Sequence, residues 1–230
     1  HMCAMGLYDS KEINVLTLDT DFVNGNKQRT ESLIEQYNSI KSSSGSEGKA
    51  NSDTFFSAKI NLHKWVANYN VKTTFNQISN LQGEGKDSDN KLLADLFLTE
   101  AVQDFDLSHG YRAQTHMGSH LMYHAFIETA KRIGKGKDPK EEDKDFEKYL
   151  NKLYDAGSDA KVFVFGSIFG GTGASSIPVI PKALNDALSI YGNNTMALDP
   201  DVKFGATLLT EYFKFKKPSD AQKGTKKDGV

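Results

Sequence analysis

Apolar, strand-like segments alternating with stretches of helical period predict an α/β domain with a mostly parallel sheet. Three observations carry that expectation. Ile13 to Leu18 reads as a strand, and a stretch with apolar residues three and four apart follows it. Lys161 to Ile168 is a β-rich run that enters a glycine loop, and the loop opens a helix expected to reach about Tyr191. A further strand, Phe204 to Leu209, then completes a βαβ unit. The chain of 230 residues is one large domain or two small ones, and it can bury roughly 70% of the surface that its unfolded form exposes.

The elements follow in order. The first strand ends at Asp19-Thr20-Asp21, and the spacing predicts a helix from about Gln28 to Ile40 with Leu33, Ile34 and Tyr37 on one face. Ser42 to Gly48 is too polar and glycine-rich to fold alone. Asp53 to Tyr69 mixes Phe55, Phe56, Ile60, Leu62, Trp65 and Val66 and fits neither period, although Trp65, Phe55 and Phe56 read as core rather than as a base-stacking platform. A polar break at Gly83 to Asp87 precedes a predicted helix from about Asp89 to Phe105, capped by Ser88 or Asp89, with Leu92, Leu93, Leu96, Phe97 and Ala101 at helical spacing. Met117 to Ile133 carries Leu121, Met122, Ala125, Phe126 and Ala130 on an amphipathic helix. After a hinge-like break at Gly134 to Asp138, Pro139 suits the first turn of another helix. Glu141 and Glu142 complement its dipole, and Phe146, Leu150, Leu153 and Tyr154 face inward. The chain has no internal repeat.

Composition removes several function classes. Lys plus Arg (28) against Asp plus Glu (30) leaves a formal charge of −2, which argues against a basic nucleic-acid scaffold. A lone cysteine, Cys3, excludes a disulfide framework and a cysteine-based zinc site. No apolar run approaches the roughly 18–20 residues of a membrane helix. These features predict a cytoplasmic protein of a reducing compartment, with neither membrane nor nucleic acid as partner. His1-Met2 reads as a tag remnant, and neither terminus looks like a natural domain boundary. The lysines of the last stretch (Lys216, Lys217, Lys223, Lys226, Lys227) read as a solvated tail or as a patch for an anionic partner.

The chemistry concentrates in Gly166-Ser167-Ile168-Phe169-Gly170-Gly171-Thr172-Gly173-Ala174-Ser175-Ser176. Glycines at the carboxyl end of a strand let successive amides turn toward one point, and α/β sheets bind ligands at that end. Phosphate is the natural guest there, while Ser175 or Ser176 serving merely as a helix cap is the plainer reading. A P-loop would need a lysine and a Ser or Thr after the glycines, and none follows. A dinucleotide fingerprint is matched only by Gly171-Thr172-Gly173, and the next strand's acid, Glu211, lies nearly forty residues on. His116, His120 and His124, with His109 upstream, line one helix face as either a surface stripe or a metal pair. Arg112 is a surface ion-pair former or a phosphate clamp, and no Gly-x-Ser-x-Gly motif makes Ser175 or Ser176 a nucleophile.

The stretch resembles the tubulin/FtsZ family, whose signature loop reads G-G-G-T-G-[ST]-G between a strand and a helix. Gly170, Gly171, Thr172 and Gly173 match its central positions, with Phe169, Ala174 and Ser175 departing at the flanks. Ile177-Pro178-Val179-Ile180, Leu18-Asp19-Thr20-Asp21, Gly118 before a helix and Thr210-Glu211-Tyr212-Phe213 follow in the family's order across about residues 13–215. The resemblance implies a three-layer Rossmann-like sheet flanked by helices over residues 3–215, with 216–230 as a flexible Lys-rich tail. It implies GTP or GDP with Mg²⁺ as ligands, held by Gly170, Gly171, Thr172, Gly173, Ala174 and Ser175 at the phosphates. Asp19, Thr20 and Asp21 would lie near the phosphates and their magnesium, with Asp21 or Asp19 holding the ion through water. Gly118 would lie in a second phosphate-side loop and Thr210 at the start of the sugar-side loop. The family's first strand and its G-G-x-G-x-N loop are expected before Leu7, and its central helix and G-x-x-N-x-D loop after Val230. This chain would then hold no catalytic residue of its own, and the parent would assemble head to tail and hydrolyse GTP at a site completed by its neighbour. Inserts at 41–60 and 80–110 fit a divergent branch and offer surfaces for another protein. A tubulin-like scaffold that has lost nucleotide, motivated by Phe169 and Ser175, is the alternative, and a dinucleotide-dependent oxidoreductase the third.

Overall fold

The computed structural model describes residues 1–8, 12–20, 25–43, 55–65, 95, 96, 99, 111, 115–134 and 136–211. The sequence forms β1 (Glu12–Thr17), α1 (Asn26–Ser43), β2 (Lys59–Lys64), α2 (Thr115–Ile133), α3 (Lys144–Ala156), β3 (Lys161–Ser167), α4 (Thr172–Ser176), α5 (Ile180–Tyr191) and β4 (Lys203–Leu209). Short 3₁₀ turns, Glu141–Asp143 and Gly157–Asp159, lead into and out of α3. The fold is mixed α/β. Among the described residues its strands form two parallel pairs, β1 with β2 (Glu12 opposite Lys59, Leu16 opposite His63) and β3 with β4 (Lys161 opposite Lys203, Ser167 opposite Leu209).

Helices flank the first pair. On one side α1 meets it through Thr17 Oγ1, which donates to Glu31 (2.7 Å), and through the Tyr37 hydroxyl, which donates to the Ala58 carbonyl (2.6 Å). On the other, α3 sets Tyr149 edge-on to His63 and Lys152 against Glu12 (2.8 Å). On that second face Asn14 Oδ1 accepts from Asn61 Nδ2 (3.2 Å) and pairs with His63 Nε2 (3.0 Å), while His63 Nδ1 is buried without a partner among the described residues.

One core joins these layers. Trp65, just past β2, lies 4.8 Å from the Phe126 ring of α2 and 5.5 Å from the Phe146 ring of α3. Its indole N–H donates to Thr129 Oγ1 (3.3 Å), so the aromatic packs without orphaning its polar end. Leu121, Met122, Ala130, Leu150, Ala183, Leu184, Ala187 and Leu188 complete the cluster, with Val162 from β3 and Leu16 and Leu18 from the β1 segment against it.

Several expectations change. The segment 53–69, which fitted neither period, supplies β2, and Phe55 is exposed rather than core. On α1 Tyr37 is buried, but Leu33 is 60% exposed. Pro139 stands before the first 3₁₀ turn rather than in α3, and Tyr154 lies on the outer side of α3. Of the helix expected over 89–105, Asp95 and Leu96 are helical and most of the rest lies outside the described residues, as does the Lys-rich tail.

The most stringent buried ion pair lies at the start of α3. Arg132 grips Asp143 with two hydrogen bonds (3.0 and 2.8 Å), and the carboxylate is almost fully buried. Removing it strands a half-buried guanidinium. Asp143→Ala should cost about 3 kcal/mol in urea unfolding, the low end for a broken buried pair because Arg132 remains 32% exposed.

Candidate functional site

The two motifs that the sequence singles out, 153 residues apart, meet in space: Thr172 Oγ1 donates to Asp19 Oδ1 at 3.3 Å. Asp19 lies two residues past β1 and Thr172 five past β3, so the carboxyl ends of both parallel pairs gather at one place. The β3–β4 end is tied off by Ile168 N–H and Ser167 Oγ, both donating to the Leu209 carbonyl (2.9 and 3.3 Å), which sets exposed Thr210 beside the loop.

The loop's glycines answer to close approach, not to left-handed backbone. A Cβ on Gly173 would overlap the Ser167 backbone, and one on Gly166 would press 2.8 Å from Ile177 Cδ1. A Cβ on Gly170 would meet nothing within 4 Å, so that position faces open space. Phe169 N–H is taken by Ser167 Oγ (3.1 Å). The amides of Gly170, Gly171, Thr172, Gly173 and Ala174 find no acceptor among the described residues. Consecutive amides without an acceptor are available to an anion.

The helix expected to run from the loop to Tyr191 is broken. α4 is one turn long, and α5 begins only at Ile180. Pro178 has no N–H to continue the ladder, and Val179 turns instead onto the Ser176 carbonyl (3.0 Å). Neither serine caps a helix. Ser175 and Ser176 are buried and donate backwards to the Gly171 and Thr172 carbonyls (both 2.6 Å). The Ser175 amide also bonds Gly171 O (3.0 Å), so its groups hold the loop's shape.

Gly118, expected in a loop, lies in the first turn of α2. A Cβ there would collide with Ser175 and with the Tyr111 ring, so α2 touches α4 at a position that tolerates no side chain. Ser119 Oγ seals the contact by donating to Ser175 O (2.7 Å).

Two residues of this region carried no weight in the sequence reading. Lys27 is only 8% exposed, and its ammonium donates to Trp65 O (2.6 Å) and sits 3.9 Å from Glu31. Burial pushes its pKa down, and Glu31 and Asp19 oppose that shift. A lysine in the first turn of a helix opposes the dipole, and that misfit was the available signal. Tyr111 is 1% exposed and Thr20 4%, and neither hydroxyl has a hydrogen-bond partner among the described residues. Burial raises the phenol's pKa; Thr20, the neighbour facing it, tempers the shift and Asp19 adds to it. A lone tyrosine outside any periodic run leaves no trace in sequence.

Magnesium keeps several waters and accepts one or two carboxylates. Asp19 with the neighbouring hydroxyls fits that ion only in company with phosphate oxygens, and among the described residues no group of three or more His, Cys, Asp or Glu converges. Asp21, His109 and Arg112 lie outside the described residues. In the histidine stripe, the His120 and His124 rings stand 4.2 Å apart, and His116 is exposed. No helix among the described residues is long and apolar enough to cross a membrane. Compared with protein-family models, curated proteins and solved structures, the chain finds no match.

Two outcomes follow from this geometry. Gly173→Ala and Gly118→Ala should each destabilise by about 1–3 kcal/mol through overpacking, while Gly170→Ala stays within about 0.5 kcal/mol, all read by urea unfolding. Histidine supplies the second. Burial first, then His120 and Lys131, pushes His124 down to about 4, and burial also lowers His120 and His63. The folded protein therefore binds fewer protons than the unfolded chain below about pH 6.5, and stability falls with pH. His124 alone should cost about 2 kcal/mol between pH 7 and pH 5. Comparing His124→Gln with wild type at both pH values should show that part of the loss disappear.

Proposed function

We propose that the carboxyl ends of β1 and β3 bind the phosphates of a guanine nucleotide, in the three-layer Rossmann-like domain of a tubulin/FtsZ-like protein. The observation that carries this reading is the Asp19–Thr172 contact, which unites the two motifs on which the family resemblance rests. The amides of Gly170, Gly171, Thr172, Gly173 and Ala174 would take phosphate oxygens, each neutral contact contributing about 0.5–1.5 kcal/mol and more to a charged oxygen. Thr172 Oγ1 would add a donor, and Asp19 would hold Mg²⁺ through water. Ser175 supports the loop from behind, and Gly118 lets α2 approach it. Thr210, beside the loop, would open the sugar side. The parent would be cytoplasmic, assemble head to tail and complete its hydrolytic site with a neighbouring subunit.

Isothermal titration with GTP and Mg²⁺, against ATP and NAD controls, tests this on the chain and on a form extended at both ends. Saturable GTP binding by the extended form, with ATP and NAD silent, is the expected result. Silence toward every nucleotide in both forms would instead favour the scaffold. That reading already draws on Ser175, whose buried side chain stands where the family has glycine.

A further inference from the structure

Buried hydroxyls without partners are uncommon, because each gives up its hydrogen bond to water and gains none in return. Among the described residues two such hydroxyls, on Thr20 and Tyr111, face one another and Asp19 just past β1. They belong to segments far apart in sequence. The Tyr111 ring is also wedged against Gly118 and hence against the loop-bearing α4. Asp19 itself is held from the other side by the Thr172 hydroxyl at 3.3 Å, well beyond the 2.7–2.8 Å usual for a hydroxyl donor. A bond so long is readily exchanged for a better acceptor. A phosphate oxygen on the loop amides would be such an acceptor for Thr172, next to the two hydroxyls.

We infer that Tyr111 is a further ligand-binding residue: its hydroxyl, with that of Thr20, donates to a phosphate oxygen of the bound nucleotide once that ligand has drawn Thr172 away from Asp19. The inference rests on the nucleotide reading above and adds a residue to it. The phenol suits the task because burial raises its pKa and so favours the protonated, donating form.

The test uses Tyr111→Phe and Thr20→Val, both of which keep shape and remove only the hydroxyl, in the chain and in the extended form. Two quantities are measured: melting temperature without ligand, and affinity for GTP with Mg²⁺. Tyr111→Phe should melt at or above the wild-type temperature, since an unpaired hydroxyl contributes nothing to the empty protein. It should bind GTP roughly tenfold or more weakly, as for a lost hydrogen bond to a charged oxygen. Thr20→Val should do the same. A clearly lower melting temperature for Tyr111→Phe would mean that the hydroxyl is paired without ligand, and the inference falls. Wild-type affinity in both variants also overturns it while leaving the nucleotide reading intact. Absence of GTP binding by wild type in both forms overturns that reading and the inference with it.

Discussion

Helix α2 lies against the glycine loop because position 118 has no side chain. A glycine inside a helix costs about 1 kcal/mol relative to alanine, and the packing that it permits offsets that cost. At this separation Ser119 reaches the Ser175 carbonyl, and Met117 and Leu121 on either side are fully buried. Tyr111 fills the remaining space with its ring. Further along, small residues at Ala125, Ala183 and Ala187 sit buried where α2 and α5 share the core. The loop's shape, the direction of α5 and the burial of Tyr111 all depend on this one close contact.

Among the described residues no ladder of backbone hydrogen bonds joins β1 and β2 to β3 and β4. Side chains hold the two pairs over one core instead. Trp65 carries the β2 end onto α2 and α3, and Lys152 ties the start of β1 to α3 at 2.8 Å. The Lys64 amide adds a bond to Asp145 (3.1 Å). Packing of this kind is set by shape more than by directional bonds, so the alignment of the strand ends is sensitive to core volume. The Asp19–Thr172 contact sits where that alignment is read out.

The elements with a clean period were legible in the chain. β1, β3, β4, α1 and α2 lie within a few residues of where spacing puts them, although only α2 buries a full apolar face in the core and β4 stays largely exposed. β2 was not legible: Lys59 to Lys64 alternates too briefly, and Trp65 beside it belongs to the core through its ring, not through strand pairing. The break after α4 was written in Pro178 but was overridden by the apolar run around it. Gly118 was placed in a loop by the family resemblance, whereas here it stands in a helix and is demanded by a neighbour distant in sequence. The serines of the loop were read by type, as caps, and the geometry uses them to bond backwards. Of the site, the glycines and Asp19 were visible as motifs. Tyr111 and Lys27 act through tertiary contacts alone.

The electrostatics of the corner bear on how an anion could be held there. The loop presents unfilled amides, which favour negative charge, yet the carboxylate of Asp19 stands one hydrogen bond away. At separations of about 5 Å and an effective dielectric near 20, two like charges oppose each other by about 3 kcal/mol. Lys27 eases part of this, since Asp19 and Glu31 both stabilise its buried ammonium, but its Nζ is directed at the Trp65 carbonyl rather than at the loop. Its charge therefore offsets part of that of Asp19 and leaves the rest of the repulsion standing. A phosphate on these amides would need a counter-charge placed between it and Asp19, whose carboxylate accepts from Thr172. In the proposed nucleotide site, the cation is then a condition of binding and not an accessory to it.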